Sequence, residues 1–130
     1  MASSIFSRIV AGEIPCHSIA ESEDFLAFLD VFPLVKGHTL VIPKQEVDYI
    51  FDLPDELLAG IHLFSREVAR KIERAIPCSR IGVTVIGLEV PHAHVHLIPI
   101  NDVADMNFEK PKLTVSQEEL AATAALIRNA

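Results

Sequence analysis

Residues 91–100 read PHAHVHLIPI, with three histidines alternating through an apolar run. The composition predicts an extended strand, in which side chains at i, i+2 and i+4 leave the same face. His92, His94 and His96 are therefore expected in a row, with neighbours roughly 6.5–7 Å apart. Three imidazoles that each titrate near neutrality repel one another when charged, so at least one is held neutral, as a nucleophile or a metal ligand requires. Two chemistries use such a row. The rings ligate Zn²⁺ with a fourth position open to water, or the middle ring attacks phosphorus while its neighbours orient it and stabilise charge on the non-bridging oxygens. The residues alone leave both open.

Working outward, the triad strand, residues 94–100, follows a second strand at 80–86 (RIGVTVI) across a tight connection around Gly87 to Pro91. Upstream, residues 53–75 form the longest predicted helix. Leu57, Ile61, Phe64, Val68 and Ile72 share a narrow arc, with Arg66, Glu67, Arg70, Glu73 and Arg74 opposite, so one face packs on a sheet. Residues 38–42 (HTLVI), closed by Pro43, make a third strand, and residues 18–20 and 25–29 make a hairpin. Residues 3–11 carry Ile5, Phe6, Ile9 and Val10 at helical spacing, stopped by Gly12 and Pro15; Ser116 with Glu119 starts a closing helix to about Arg128. The expectation is an α+β fold: a mainly antiparallel five-stranded sheet, one long helix, a short N-terminal helix and a C-terminal helix.

At 130 residues the chain fits a single domain, 1–130. Cys16 and Cys78 lack metal-ligand spacing and read as reduced thiols, which points to the cytoplasm. Arg8 and Glu13 interrupt what would be a signal peptide's apolar region, and no run approaches a membrane span, so export and membrane insertion are not expected. A formal charge of -7 argues against sequence-independent binding to nucleic acid, which needs clustered Lys and Arg. The 50% hydrophobic content fits a homo-oligomer burying part of it. His17 and His62 read as surface or boundary positions.

HAHVHLIP resembles the His-x-His-x-His-x-x motif of the histidine triad (HIT) family of nucleotide hydrolases and transferases. IFSRIVAGEIP, residues 5–15, is similar to that family's amino-terminal segment, and FLAFLDVFPLVKGHTLVIPK, residues 25–44, to its Phe-x-Asp, Gly-His and Leu-Val-Ile-Pro-Lys stretch. The resemblance spans roughly residues 5–99 and leaves residues 101–130 outside it. It implies a HIT-like fold, a homodimer and hydrolysis of a nucleoside monophosphate derivative, a phosphoramidate or dinucleoside polyphosphate, through a nucleotidyl-histidine.

The resemblance also implies roles. His94 is the nucleophile, His92 fixes the tautomer and orientation of the site, His96 contacts the α-phosphate, and His38 joins the relay behind His94. A partly protonated His96 or His38 would stabilise charge. Asp30 receives the ribose hydroxyls; Ile5, Phe6, Ile9 and Phe28 form the base pocket, although the same residues would serve as plain core. Glu89 is the candidate proton donor to the leaving group, or a solvated loop carboxylate.

This chain departs from the pattern in three places. Ser4 and Ser7 stand where many relatives carry cysteines of a structural zinc site, so neither that metal nor a cofactor is expected. The stretch before the triad is shortened to VIGLEVP, without the Asn and Gln that contact the phosphate chain in relatives. The triad strand ends IPI without a following basic residue, and no Trp is present. Two alternatives remain: a metal-dependent hydrolase with the three histidines as ligands, and a non-catalytic nucleotide-binding protein.

Overall fold

The computed structural model describes residues 3–130. Among them are three α-helices and a five-stranded antiparallel sheet in the order β1-β2-β3-β5-β4, the α+β arrangement the sequence predicts. Helix α1 is Ile5–Val10; β1 is Ser18–Glu21, β2 Phe25–Leu29 and β3 Thr39–Pro43; α2 is Asp55–Ala75; β4 is Arg80–Thr84 and β5 Val95–Ile100; α3 is Gln117–Arg128. Short 3₁₀ turns occupy Ile50–Asp52 and Val103–Met106. β3 and β4 each run antiparallel to β5, so α2 makes a crossover between two parallel strands with β5 inserted between them, a split βαβ unit.

The inner strands β2, β3 and β5 are buried on both faces, which is why β2 and β3 read as continuous apolar runs instead of alternating ones. Phe25, Ala27 and Leu29 of β2, with Val41, Val95 and Leu97, meet Ile61, Phe64, Val68 and Ile72 of α2 and Leu120, Ala124 and Ile127 of α3. Burying each of these large aliphatic side chains contributes about 1.5–3 kcal/mol. On the opposite face Leu26, Phe28, Leu40 and Ile42 pack with Phe6 of α1. That second face carries the site.

One expectation is corrected here. β5 begins at Val95, so His92 and His94 precede the strand and the three imidazoles do not form a row on one strand face. The ladder with β3 stops where Val41 pairs with Val95. Beyond it the Pro43 carbonyl is taken by the His92 ring, and the Ala93 N–H turns away to the Val47 carbonyl at 2.7 Å. The outer ends of other elements also shift: β4 stops at Thr84 rather than 86, and Pro54 confines α2 to residues 55–75 behind the 3₁₀ turn.

Candidate active site

Alternation along β3 puts Leu40 and Ile42 on the α1 side, and His38, just before the strand, follows the same pleat. Leu40 pairs with His96 across the ladder, so His38 arrives one pleat further along. Its Nε2 lies 2.9 Å from His96 Nδ1. Gly37, at φ +92°, makes the turn that starts β3 in a region closed to most side chains.

The hydrogen bonds fix each ring's proton. The Leu34 N–H donates to His38 Nδ1 at 3.0 Å, which leaves the proton on His38 Nε2; that proton is donated to His96 Nδ1, and the remaining proton of neutral His96 sits on Nε2. His94 has the opposite pattern. Its Nδ1 lies 2.8 Å from the His92 carbonyl oxygen, which only accepts, so Nδ1 carries the proton and neutral His94 keeps a lone pair on Nε2. The two rings meet edge to face, with centroids 5.0 Å apart. A nucleophilic nitrogen and an N–H donor therefore stand side by side.

Burial, reinforced by His94 and Lys112, pushes His96 down to about 4; burial with His96, Lys112 and His94 pushes His38 down to about 3. Both are neutral at physiological pH. This corrects the expectation of a partly protonated His96 or His38: charge on a bound phosphate is met here by a neutral N–H. It also relocates His38, which stands behind His96 and not behind His94.

His92 is held on the far side of Phe6, whose ring lies edge-on to both His92 and His94, with centroids 5.8 and 5.0 Å away. Its Nε2–H donates to the Pro43 carbonyl at 2.8 Å, and its Nδ1 accepts the Ser4 hydroxyl at 2.8 Å. Burial lowers its pKa. Both ring nitrogens are thus engaged away from His94 and His96, so the three histidines do not converge on one ion. Behind His92, Ser4 Oγ accepts the Ser7 N–H and caps α1, while Glu46 Oε1 accepts from the Ser4 N–H and the Ser7 hydroxyl. Two hydroxyls, one carboxylate and one imidazole, already bonded to one another, do not suit zinc, which takes thiolate, imidazole or carboxylate.

Asp30 follows β2 directly. Its Oδ1 accepts the Phe32 N–H at 2.9 Å, forming a local turn, and its Oδ2 lies 3.6 Å from His38 Nε2. Burial pushes the carboxyl above its ordinary value, partly offset by the Phe32 N–H. Donor atoms of Asp30, His38 and His96 lie within 4.8 Å of one another. The His38–His96 hydrogen bond and the approach of Asp30 to His38 account for that proximity.

A cleft of about 310 Å³ gathers Ile5, Phe6, Ile9, Phe28, Asp30, Glu89, His94 and His96 on its walls. The expected pocket residues thus share one space with the two reactive rings; His92 and His38 stand behind the wall. Glu89 is exposed on the rim. The sequence does not mark Ser4 and Ser7 as partners of His92, Glu46 as the carboxylate behind them, or Phe108 and Lys112, which reach the site from beyond the triad strand. The capping pattern Ser4-x-x-Ser7 hinted at the first group. Nothing local in the sequence marked the second.

A fold of this topology presenting a bare imidazole nitrogen beside an imidazole donor, over an apolar cleft with a carboxylate, defines a histidine-triad arrangement. The HIT domain family model matches residues 11–103. Over 126 residues the chain is 36% identical to the adenosine 5'-monophosphoramidase hnt1 of Schizosaccharomyces pombe, covering 92% of each chain. Among solved structures it resembles a Hit-like protein involved in cell-cycle regulation from Bartonella henselae, with TM-score 0.84 and 28% identity over 98% of this chain and 95% of that one. A zinc-bound histidine triad family protein from Mycobacterium smegmatis matches with TM-score 0.80 and 28% identity, over 98% and 91%. The chain belongs to the HIT family.

Proposed function

We propose that this protein is a HIT-type nucleotide hydrolase that cleaves a nucleoside monophosphate derivative, a phosphoramidate or phosphoanhydride, through a covalent intermediate on His94. The opposite proton placement on His94 and His96 carries this reading. His94 Nε2 attacks the α-phosphorus as the bond to the leaving group breaks, while His96 Nε2–H donates to a non-bridging oxygen. The adduct leaves a positive imidazolium, and its Nδ1–H remains on the His92 carbonyl, which stabilises that charge. The leaving group departs with a proton, for which Glu89 on the rim is the candidate donor. Water then attacks phosphorus, giving a proton to the Glu89 carboxylate left by the first step, the P–N bond to His94 breaks, and the nucleoside monophosphate is released with both groups restored.

Within this reading the apolar side of the cleft takes the base, and Asp30 takes the ribose hydroxyls, for which a carboxylate offers two acceptors. The relative named as an adenosine 5'-monophosphoramidase supports the phosphoramidate class. Substituting His94→Ala tests the reading: turnover of adenosine 5'-phosphoramidate is lost, while adenosine monophosphate binds within about tenfold, or 1.4 kcal/mol. Undiminished turnover would remove the mechanism.

We place the protein in the cytoplasm as a homodimer. Cys16 and Cys78 are free thiols, as in a reducing compartment, and among the described residues no helix is long and apolar enough to cross a membrane. The dimer reading rests on β4, an edge strand that exposes Val83, followed by the exposed Ile86. Sedimentation of Val83→Glu against the parent protein decides it, since a dimer through this edge shifts to monomer and any other arrangement does not.

A further inference from the structure

His94 and His96 separate two clefts. Besides the larger, apolar cleft, a second of about 220 Å³ shares Asp30, Glu89, His94 and His96 with it and is closed by Leu88, Phe108 and Lys112. A nucleoside monophosphate with its base in the first cleft and its phosphorus at His94 directs its leaving group into the second. The walls of that space therefore select what is cleaved off.

Phe108 and Lys112 come from residues 107–112, a segment pinned at several points. The Asp102–Asp105 capping box fixes the 3₁₀ turn before it, and Met106 lies against Gly82 of β4 where a Cβ would collide with its sulfur. After it, the Leu113 N–H donates to the Pro33 carbonyl at 2.8 Å. Phe108 packs edge-on to His96, with centroids 4.9 Å apart, and Lys112 Nζ lies 5.4 Å from the Phe108 ring centre while donating to the Phe108 carbonyl at 2.8 Å. The ammonium is thus held over the ring that covers His96. It is the only lysine or arginine on the walls of this cleft among the described residues.

We propose that Phe108 and Lys112 form a leaving-group subsite, and that Lys112 makes the enzyme prefer leaving groups bearing an anionic group, a carboxylate or a phosphate, one side-chain length from the scissile bond. The inference rests on the His94 reading. Phe108 supplies the apolar floor for the body of the leaving group, and Lys112 pairs with its charge. Because Lys112 is solvent-exposed, the preference is modest and weakens with salt.

The test compares three adenosine monophosphate derivatives in the parent protein, in Lys112→Met and in Lys112→Arg: the benzylamine phosphoramidate, the 4-(aminomethyl)benzoate phosphoramidate and diadenosine triphosphate. The quantity read is the kcat/KM ratio of each anionic leaving group to the neutral amine. In Lys112→Met the ratio falls about threefold for at least one anionic substrate, Lys112→Arg retains it, and the difference shrinks at high ionic strength. A fall confined to the benzoate assigns the subsite to carboxylates, and one confined to the triphosphate assigns it to phosphates. Ratios unchanged by Lys112→Met overturn the proposal. Absence of turnover of the neutral amine by the parent protein would instead count against the His94 reading.

Discussion

His38 Nε2 donates to His96 Nδ1 across 2.9 Å, and the donor is itself fixed by the Leu34 N–H on its other nitrogen. These two hydrogen bonds set which nitrogen of His96 carries its proton. The catalytic donor is specified from behind, by a ring that lies outside the 310 Å³ cleft.

Replacing His38 with Ala removes that specification. His96 Nδ1 loses its buried donor, costing about 1–3 kcal/mol of stability, and the ring is free to carry its proton on the wrong nitrogen. kcat for adenosine 5'-phosphoramidate falls about 10²-fold, the scale of losing one preorganised donor. Steady-state kinetics alongside urea denaturation checks both effects; a His38→Ala protein with parental kcat would show that the tautomer of His96 is immaterial.

Acid destabilisation follows from the same pair. His38 and His96 titrate at about 3 and about 4 in the folded chain, against 6.5 ordinarily, and both shifts are led by burial. The unfolded chain therefore binds more protons between these limits, so stability is fully present above about pH 6.5 and is lost as pH falls through 4 toward about 3, by several kcal/mol on an order-of-magnitude scale. Burial lowers His92 as well and adds in the same direction, while the raised Asp30 carboxyl opposes it just above its ordinary range. Urea unfolding at a series of pH values should show a steep fall from pH 6.5 to 4, shallower in His38→Ala. A flat profile would mean that these rings are not buried neutral.

Ser4 joins the amino-terminal helix to the triad. Its hydroxyl caps α1 through the Ser7 N–H and donates to His92 Nδ1 at 2.8 Å. Ser4→Ala uncaps the helix and leaves His92 Nδ1 with only the Ser7 hydroxyl, 3.4 Å away and already donating to Glu46, costing about 1–3 kcal/mol. Since α1 carries Ile5, Phe6 and Ile9 to the cleft, KM rises more than kcat falls. Thermal denaturation and kinetics measure this; unchanged stability would show that the Ser4–His92 bond contributes nothing.

The fold was legible where sequence period and local chemistry agree. The arc of Ile61, Val68 and Ile72 marked α2, and the apolar runs at residues 25–29 and 38–42 marked the central strands, the second observed one residue later as Thr39–Pro43. Alternation misled at His92, because a period of two describes side-chain direction only while the chain remains in a ladder, and here the ladder ends at Val95. The cleft residues were legible through resemblance. Contacts such as Glu46 to Ser7 or Phe108 to His96 join positions 39 and 12 apart and depend on chain paths that no local pattern encodes. The switch from an expected charged donor to a neutral one required knowing the burial of His38 and His96, a property of the assembled core.

Direct observation of the covalent intermediate tests the central claim. The protein is mixed with adenosine 5'-phosphoramidate, quenched without acid within the first turnovers, digested and mapped by mass spectrometry. The account predicts an adenylyl group on the peptide containing residues 92–96, borne by His94 and absent from His94→Ala. An adenylyl group on any other residue, or steady turnover with no adduct at any time point, would contradict it.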